Sequence, residues 1–229
     1  NEETDLKNED YDKLIQFGSN YDFRLIEIKE INRIYLNAKQ YIFDYFKEVS
    51  TKICVWDIEG YDLVGLLDAD MCIIRNMDEL LELDLRPIYP ESTNIPPITN
   101  SESYFNSGLI ILRPSKSKFN EIYNRLITHE NPDQLLFPEQ DLLNEIYKGN
   151  WVGLPYIYNA LKTLRDCHSL MWSDKDVKNV HYITKYKPWK EDIKMRAQKL
   201  DRRESISILN NWWWKVYRDE EWDDEDFEG

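Results

Sequence analysis

Positive charge is what this chain lacks most. It has 29 lysines and arginines against 43 aspartates and glutamates, a formal net charge of −14. A phosphate backbone or an anionic bilayer repels such a surface, so nucleic acid and acidic membranes are excluded as general partners. The same deficit sets a condition on any phosphorylated small ligand: its site must supply local lysines, a divalent cation, or both. Cysteine is scarce as well. Cys54, Cys72 and Cys167 are odd in number and unclustered, and Cys54 and Cys72 sit beside apolar residues as core positions of a reduced protein. The sequence has no Asn-x-Ser/Thr acceptor, no run approaching the ~20 apolar residues of a membrane span, and no visible signal peptide. The expectation is a cytoplasmic protein without a membrane span.

What is present is a core. Apolar residues make up 42% of the chain and aromatics 14%, far from the profile of a disordered polypeptide. At 229 residues one domain can bury roughly 70% of its unfolded surface. A single domain is expected over residues 1–218, followed by an acidic, disordered tail over 219–229, "DEEWDDEDFEG".

Strand and helix signals alternate along the chain, which places it in the α/β class. "DFRLIEI" (22–28) reads as a strand, and "TKICVWDIEGY" as a helix closed by Gly60. "LVGLL" (63–67) and "YFNSGLIIL" (104–112) are apolar runs expected as strands covered on both faces. Between them, residues 86–104 are rich in Pro, Ser and Asn and read as a loop that helps to choose a substrate. In "SKSKFNEIYNRLITHE", Phe119, Ile122, Tyr123, Leu126 and Ile127 follow helical spacing. "EQDLLNEIYKG" is a helix stopped by Gly149, "KNVHYI" (178–183) a short strand, and "ESISILNNWWWKVY" a closing helix. Its tryptophans suit packing, a partner surface or a carbohydrate platform. Trp212 and Trp213 with Ile208, Leu209, Val216 and Tyr217 form an apolar face, while Trp214 is the candidate for an exposed contact.

Asp-x-Asp occurs four times, at 10/12, 68/70, 174/176 and 224/226, so the pattern alone says little. Position separates one from the rest. Only Asp68 and Asp70 follow an apolar strand, and alternate residues of an extended segment point to one side. Ligands of open α/β sheets bind outside the carboxyl ends of strands. Two carboxylates there serve either as caps of the following turn or as the grip on a cation. Oxygen ligands suit Mg²⁺ or Mn²⁺, and an added imidazole favours Mn²⁺. His181, one of three histidines, is the candidate imidazole or else a core residue.

Five segments in order, "TKICVWDIEGYDLVGLLDADMCIIRNMDEL", "FNSGLIILRPS", "EQDLLNEIY", "LPYIYNALK" and "VHYITKYKPW", resemble the family-8 retaining glycosyltransferases. The Glu139-Gln140-Asp141 form and the tryptophan-rich helix look more like the galactinol-synthase-like than the glycogenin-like branch. The resemblance implies a GT-A type nucleotide-sugar fold with a mostly parallel central sheet and helices on both faces. It also implies Mn²⁺ (or Mg²⁺) and transfer of a hexosyl group from UDP-glucose or UDP-galactose to a hydroxyl acceptor with retention.

By the same resemblance Asp68, Asp70 and His181 are the metal ligands. Lys52 and Lys187 contact the donor, Lys187 at the diphosphate. Asn106 and Gln140 line the transferred sugar, and Glu139 is an active-site acid. Two departures accompany the match. The family's opening strand-helix-strand unit, which supports uracil and ribose, has no room in residues 1–21, so the chain is expected to lack it. A non-catalytic binding or scaffold module is then the alternative reading. The turn after the metal-binding histidine, where the family carries Gly, has none between His181 and Lys187, so this loop is expected to sit differently.

Overall fold

The computed structural model describes residues 12–16, 50–85, 104–131, 134–190, 205–222 and 224–227. The strand expected at 22–28 and nearly all of the loop at 86–104 lie outside the described residues. Five strands are described: β1 (Val64–Leu67), β2 (Met71–Ile73), β3 (Leu109–Leu112), β4 (Ala160–Leu161) and β5 (Asn179–His181). The helices are α1 (Lys116–Ile127), α2 (Pro138–Ile146), α3 (Leu164–Cys167) and α4 (Ser205–Arg218).

β1 pairs with β3, and β2, β5 and β4 form a second sheet with β5 in the middle. The expected mostly parallel order is not what the described strands show. β1–β3 and β2–β5 are antiparallel, and only β4–β5 is parallel. The chain turns at residues 69–70 and leaves one sheet for the other. β1 is also only half-buried along its length, so its apolar run does not signal cover on both faces.

Each sheet has its own core. Around β1 and β3, the 3-10 segment Ser50–Asp57, α1 and α2 bury Ile53, Trp56, Leu112, Ile122, Leu126, Leu142 and Leu143. Ile122 and Leu126 are one turn apart and share a face of α1, while Phe119 and Tyr123 stack beside them at 5.8 Å. Ser115 caps α1 by accepting from the Lys118 N–H at 3.3 Å. Pro138 starts α2, where its missing N–H costs nothing. Gly149, at φ 75° just beyond, takes the left-handed conformation that ends it. The segment from Ser50 is a 3-10 helix ending at Asp57, shorter and tighter than the helix expected to run to Gly60.

The second core gathers Cys72, Ala160, Val177, Val180, Tyr182, Leu209 and Trp212. The Tyr182 hydroxyl donates to the Leu209 carbonyl at 2.5 Å, which docks α4 on the end of β5. Of the tryptophan-rich face, Leu209 and Trp212 are buried, Trp213 and Trp214 half-buried, and Val216 and Tyr217 exposed. The face is therefore narrower than its pattern suggests, and Trp214, the candidate for an exposed contact, is half-buried. Of the acidic segment expected to be disordered, the described residues Trp222, Asp226 and Phe227 lie against this core. Trp222 and Phe227 stack at 5.2 Å and both pack on Trp212. The Trp212 indole N–H donates to the Asp226 carbonyl at 2.8 Å, Lys215 pairs with the Asp226 carboxylate, and the Arg75 guanidinium lies 4.1 Å from the Phe227 ring. Two aromatic anchors outweigh the repulsion of the surrounding carboxylates. Trp212→Ala should lower the unfolding free energy by about 3–5 kcal/mol, the usual range for a buried aromatic, as read from urea unfolding; a loss below about 1 kcal/mol would mean that this anchor is not structural.

Candidate metal and donor site

The site lies where the chain passes from one core to the other. Asp68 ends β1, and its N–H donates to the Gly108 carbonyl at 2.8 Å, which extends the β1–β3 pairing by one residue. The Met71 N–H closes a tight turn on the Asp68 carbonyl at 3.1 Å. Asp70 then sits at the head of β2, where Met71 faces His181 in register. The Tyr182 N–H donates to the Asp70 carbonyl at 2.9 Å. The two aspartates converge because the chain turns between them, not because alternate residues of a strand share a face.

His181 Nε2 lies 3.1 Å from Asp70 Oδ1 and 3.7 Å from Asp68 Oδ2. One ligand atom from each of Asp68, Asp70 and His181 falls within 4.8 Å of the others. Gly108 makes room for the ring: a Cβ there would stand 2.5 Å from His181 Cε1 and 2.7 Å from Nδ1. The donor set, two carboxylates and a buried imidazole around one point, fits a divalent cation.

Two lysines flank the cluster. The Lys52 ammonium pairs with Asp68 and reaches Glu139 Oε2 at 3.7 Å. The Lys187 ammonium pairs with Asp70 and donates to the Tyr182 carbonyl. Burial pushes the Asp70 carboxyl up, but hydrogen bonds from His181 and Lys187 prevail and hold it at about 2. Glu139 behaves oppositely. Its side chain is 3% exposed, one oxygen accepts from Ser107 Oγ at 3.1 Å, and the other has no hydrogen-bond partner among the described residues. Burial pushes this carboxyl up to about 7, against the pull of Lys52 and Ser107.

Asn106 and Gln140 meet beside this group. Asn106 Nδ2 donates to Gln140 Oε1 at 3.1 Å, and Gln140 Nε2 donates to the Tyr104 hydroxyl at 2.8 Å. All eight residues singled out from the sequence thus fall in one contiguous network. Ser107, Gly108, Tyr104 and Asn159 join them, and sequence reasoning missed these four. The "FNSG" and "YN" stretches drew attention only as segments, since a turn serine or a lone asparagine carries no chemical signal until its partners are known.

The loop from His181 to Lys187 makes the left-handed turn without a glycine: Thr184 has φ 72°. Lys162, 1% exposed, is buried beneath it and donates its ammonium to the Tyr186 carbonyl, while its N–H donates to the His181 carbonyl at 3.1 Å. Beyond the loop, Trp189 tilts against Trp213 at 5.5 Å and Trp213 stacks on Tyr217 at 5.1 Å. Among the described residues, no helix is long and apolar enough to cross a membrane.

This frame is shared with known glycosyltransferases. The apo form of the glycosyltransferase GlyE of Streptococcus pneumoniae TIGR4 superposes with a TM-score of 0.58 over 93% of this chain and 54% of that one, at 19% identity. The apo WbbM bifunctional glycosyltransferase gives 0.57 over 94% and 44%, at 15% identity. These likenesses define the fold as the GT-A type, in the α/β class. The sequence profile of glycosyl transferase family 8 matches residues 3–193. The chain belongs to that family. Among characterised relatives, galactinol synthase 1 of Solanum lycopersicum is 28% identical over 210 residues, 84% of this chain and 64% of its own length. Galactinol synthase 4 of Arabidopsis thaliana is 27% identical over 231 residues, 86% of this chain and 66% of its own. The chain therefore spans a little under two thirds of these relatives.

Two outcomes follow from this geometry. Because Glu139 is raised from 4.5 to about 7, its contribution to stability is fully present below about pH 4.5 and is lost as pH rises through 7. A shift of that size corresponds to roughly 3 kcal/mol. Glu139→Gln should flatten the loss of thermal stability between pH 5 and pH 8, and equal slopes in the two proteins would contradict the burial argument. A β-branched residue in the left-handed region costs about 1–2 kcal/mol, while glycine adds unfolded-state entropy of about 0.4–1 kcal/mol. Thr184→Gly should therefore be neutral or stabilising by up to about 1 kcal/mol in urea unfolding; clear destabilisation would show that this turn is not strained.

Proposed function

We propose that this chain is the catalytic part of a metal-dependent retaining hexosyltransferase, which moves glucose or galactose from its UDP conjugate to a hydroxyl acceptor. One observation carries the reading: in a protein of net charge −14, two lysines, two aspartates and a buried histidine converge on one point. That combination meets the condition for binding a diphosphate in an acidic protein. Asp68, Asp70 and His181 would hold Mn²⁺, or Mg²⁺ in its place. When bound, the cation supplies Lewis-acid stabilisation of charge on the diphosphate oxygens.

The remaining roles belong to the side chains. Lys187, drawn from Asp70 to the diphosphate, neutralises the departing UDP as the glycosidic bond breaks, and Lys52 does the same from the Asp68 side. Asn106 and Gln140 orient the hexose hydroxyls through amide groups already held in place by hydrogen bonds. Glu139, buried and raised to about 7, sets the polarity behind the sugar and can carry a proton near neutral pH. Of the relatives, those named galactinol synthases favour a galactosyl donor.

Calorimetric titration of UDP into the chain, with and without Mn²⁺, tests the reading. Mn²⁺ should tighten UDP binding at least tenfold, Asp70→Ala should abolish that gain, and Lys187→Ala should weaken binding with Mn²⁺ present. A folded chain that does not bind UDP under any of these conditions would sink the proposal.

A further inference from the structure

One hydrogen-bond chain runs from the candidate metal site to two backbone amides, and its direction is fixed at both. The Gly108 N–H donates to the Asn106 side chain at 3.0 Å, and the Ser107 N–H donates to the Gln140 side chain at 3.0 Å. A backbone N–H can only donate, so the atoms facing them are the amide oxygens Asn106 Oδ1 and Gln140 Oε1. Asn106 Nδ2 accordingly donates to Gln140 Oε1 at 3.1 Å. Asn159 approaches the same Asn106 oxygen at 2.9 Å, so it presents Nδ2 there. Its own oxygen is thereby turned to His181 Nδ1, also at 2.9 Å. An acceptor at Nδ1 requires a proton on Nδ1, whether or not Nε2 also carries one toward Asp70, so Nε2 is the nitrogen that can give up its proton and present a lone pair to a cation. Nε2 is the ring atom that faces Asp70 and Asp68.

We infer that Asn159 is a positioning residue: it keeps a proton on His181 Nδ1 and so leaves Nε2 as the ring nitrogen that can exchange its contact with Asp70 for a metal ion. Neither His181 nor Asn159 could set this alone. The ring could donate from either nitrogen and the amide could face either way, and only the amides of Ser107 and Gly108 break both ambiguities. Gly108 has a second part in the arrangement, since its missing side chain is the space the ring occupies. The inference rests on the metal-binding reading of Asp68, Asp70 and His181, but the tautomer itself can be observed without metal.

The test uses the metal-free ¹⁵N-labelled chain at pH 9. Long-range ¹H–¹⁵N correlations report which ring nitrogen carries the proton, and the His181 signals are those missing from His181→Gln. The expected result is a protonated Nδ1 in the wild type, retained in Asn159→Asp, which keeps an acceptor, and lost in Asn159→Leu. In calorimetry Asn159→Leu should bind Mn²⁺ 10–100-fold more weakly, the range seen when outer partners of metal-ligating histidines are removed, and Asn159→Asp should stay within a few-fold of the wild type. A wild-type His181 protonated at Nε2 alone overturns the inference, as does an Asn159→Leu variant with unchanged Nδ1 protonation and affinity. If the tautomer behaves as expected but the wild type does not bind Mn²⁺, the relay stands and the metal-site reading fails.

Discussion

Bringing Asp68 and Asp70 together in a half-buried seam is the constraint around which the rest of this molecule is arranged. Two like charges about 4 Å apart repel by about 4 kcal/mol at an effective dielectric near 20, and Glu139 stands close enough to add to the load. The fold answers with cations from separate parts of the chain. Lys52 comes from the 3-10 segment of the first core, and Lys187 from the loop that leaves the second. Glu139 is settled differently, by burial, which favours its neutral form.

The seam follows from the two-core layout. β1 and β3 close one core and β5 with its neighbours the other, and the short turn after Asp68 is where the chain crosses. A site made at such a crossing draws its side chains from the turn and from both sheets, so its geometry is held by packing on both sides. Tyr182 shows the coupling. Its N–H is tied to Asp70, its carbonyl to Lys187 and its hydroxyl to α4. The tryptophan-rich helix is thus coupled to the site through Tyr182.

Much of the site was legible because charge is expensive to place after an apolar strand. Asp68 and Asp70 stood out by position among four similar pairs, and His181 by rarity and by its own short strand. The mechanism of their convergence was not legible. Alternation along a strand would also face two aspartates to one side, yet a turn is what joins them. Composition weighs the eleven residues of the tail together and does not single out Trp222, Asp226 and Phe227, which make its contacts with the second core. Pairing direction depends on which segments meet, and among the described strands β1 meets β3 antiparallel.

The sequence by itself determined the chemistry available: an acidic protein with two aspartates placed after an apolar strand, two lysines in matched segments and the ordered motifs of family 8. These are properties of residue type and order, which survive without coordinates. Tertiary structure decided the state of those groups. It buried Glu139 and left Asp70 open to Lys187, it set Thr184 in a left-handed turn, and it aimed one amide at His181 through two backbone N–H groups. Protonation, tautomer and strain depend on which atoms lie within 3 or 4 Å, and those neighbours are far apart in the chain, so only the fold could specify them.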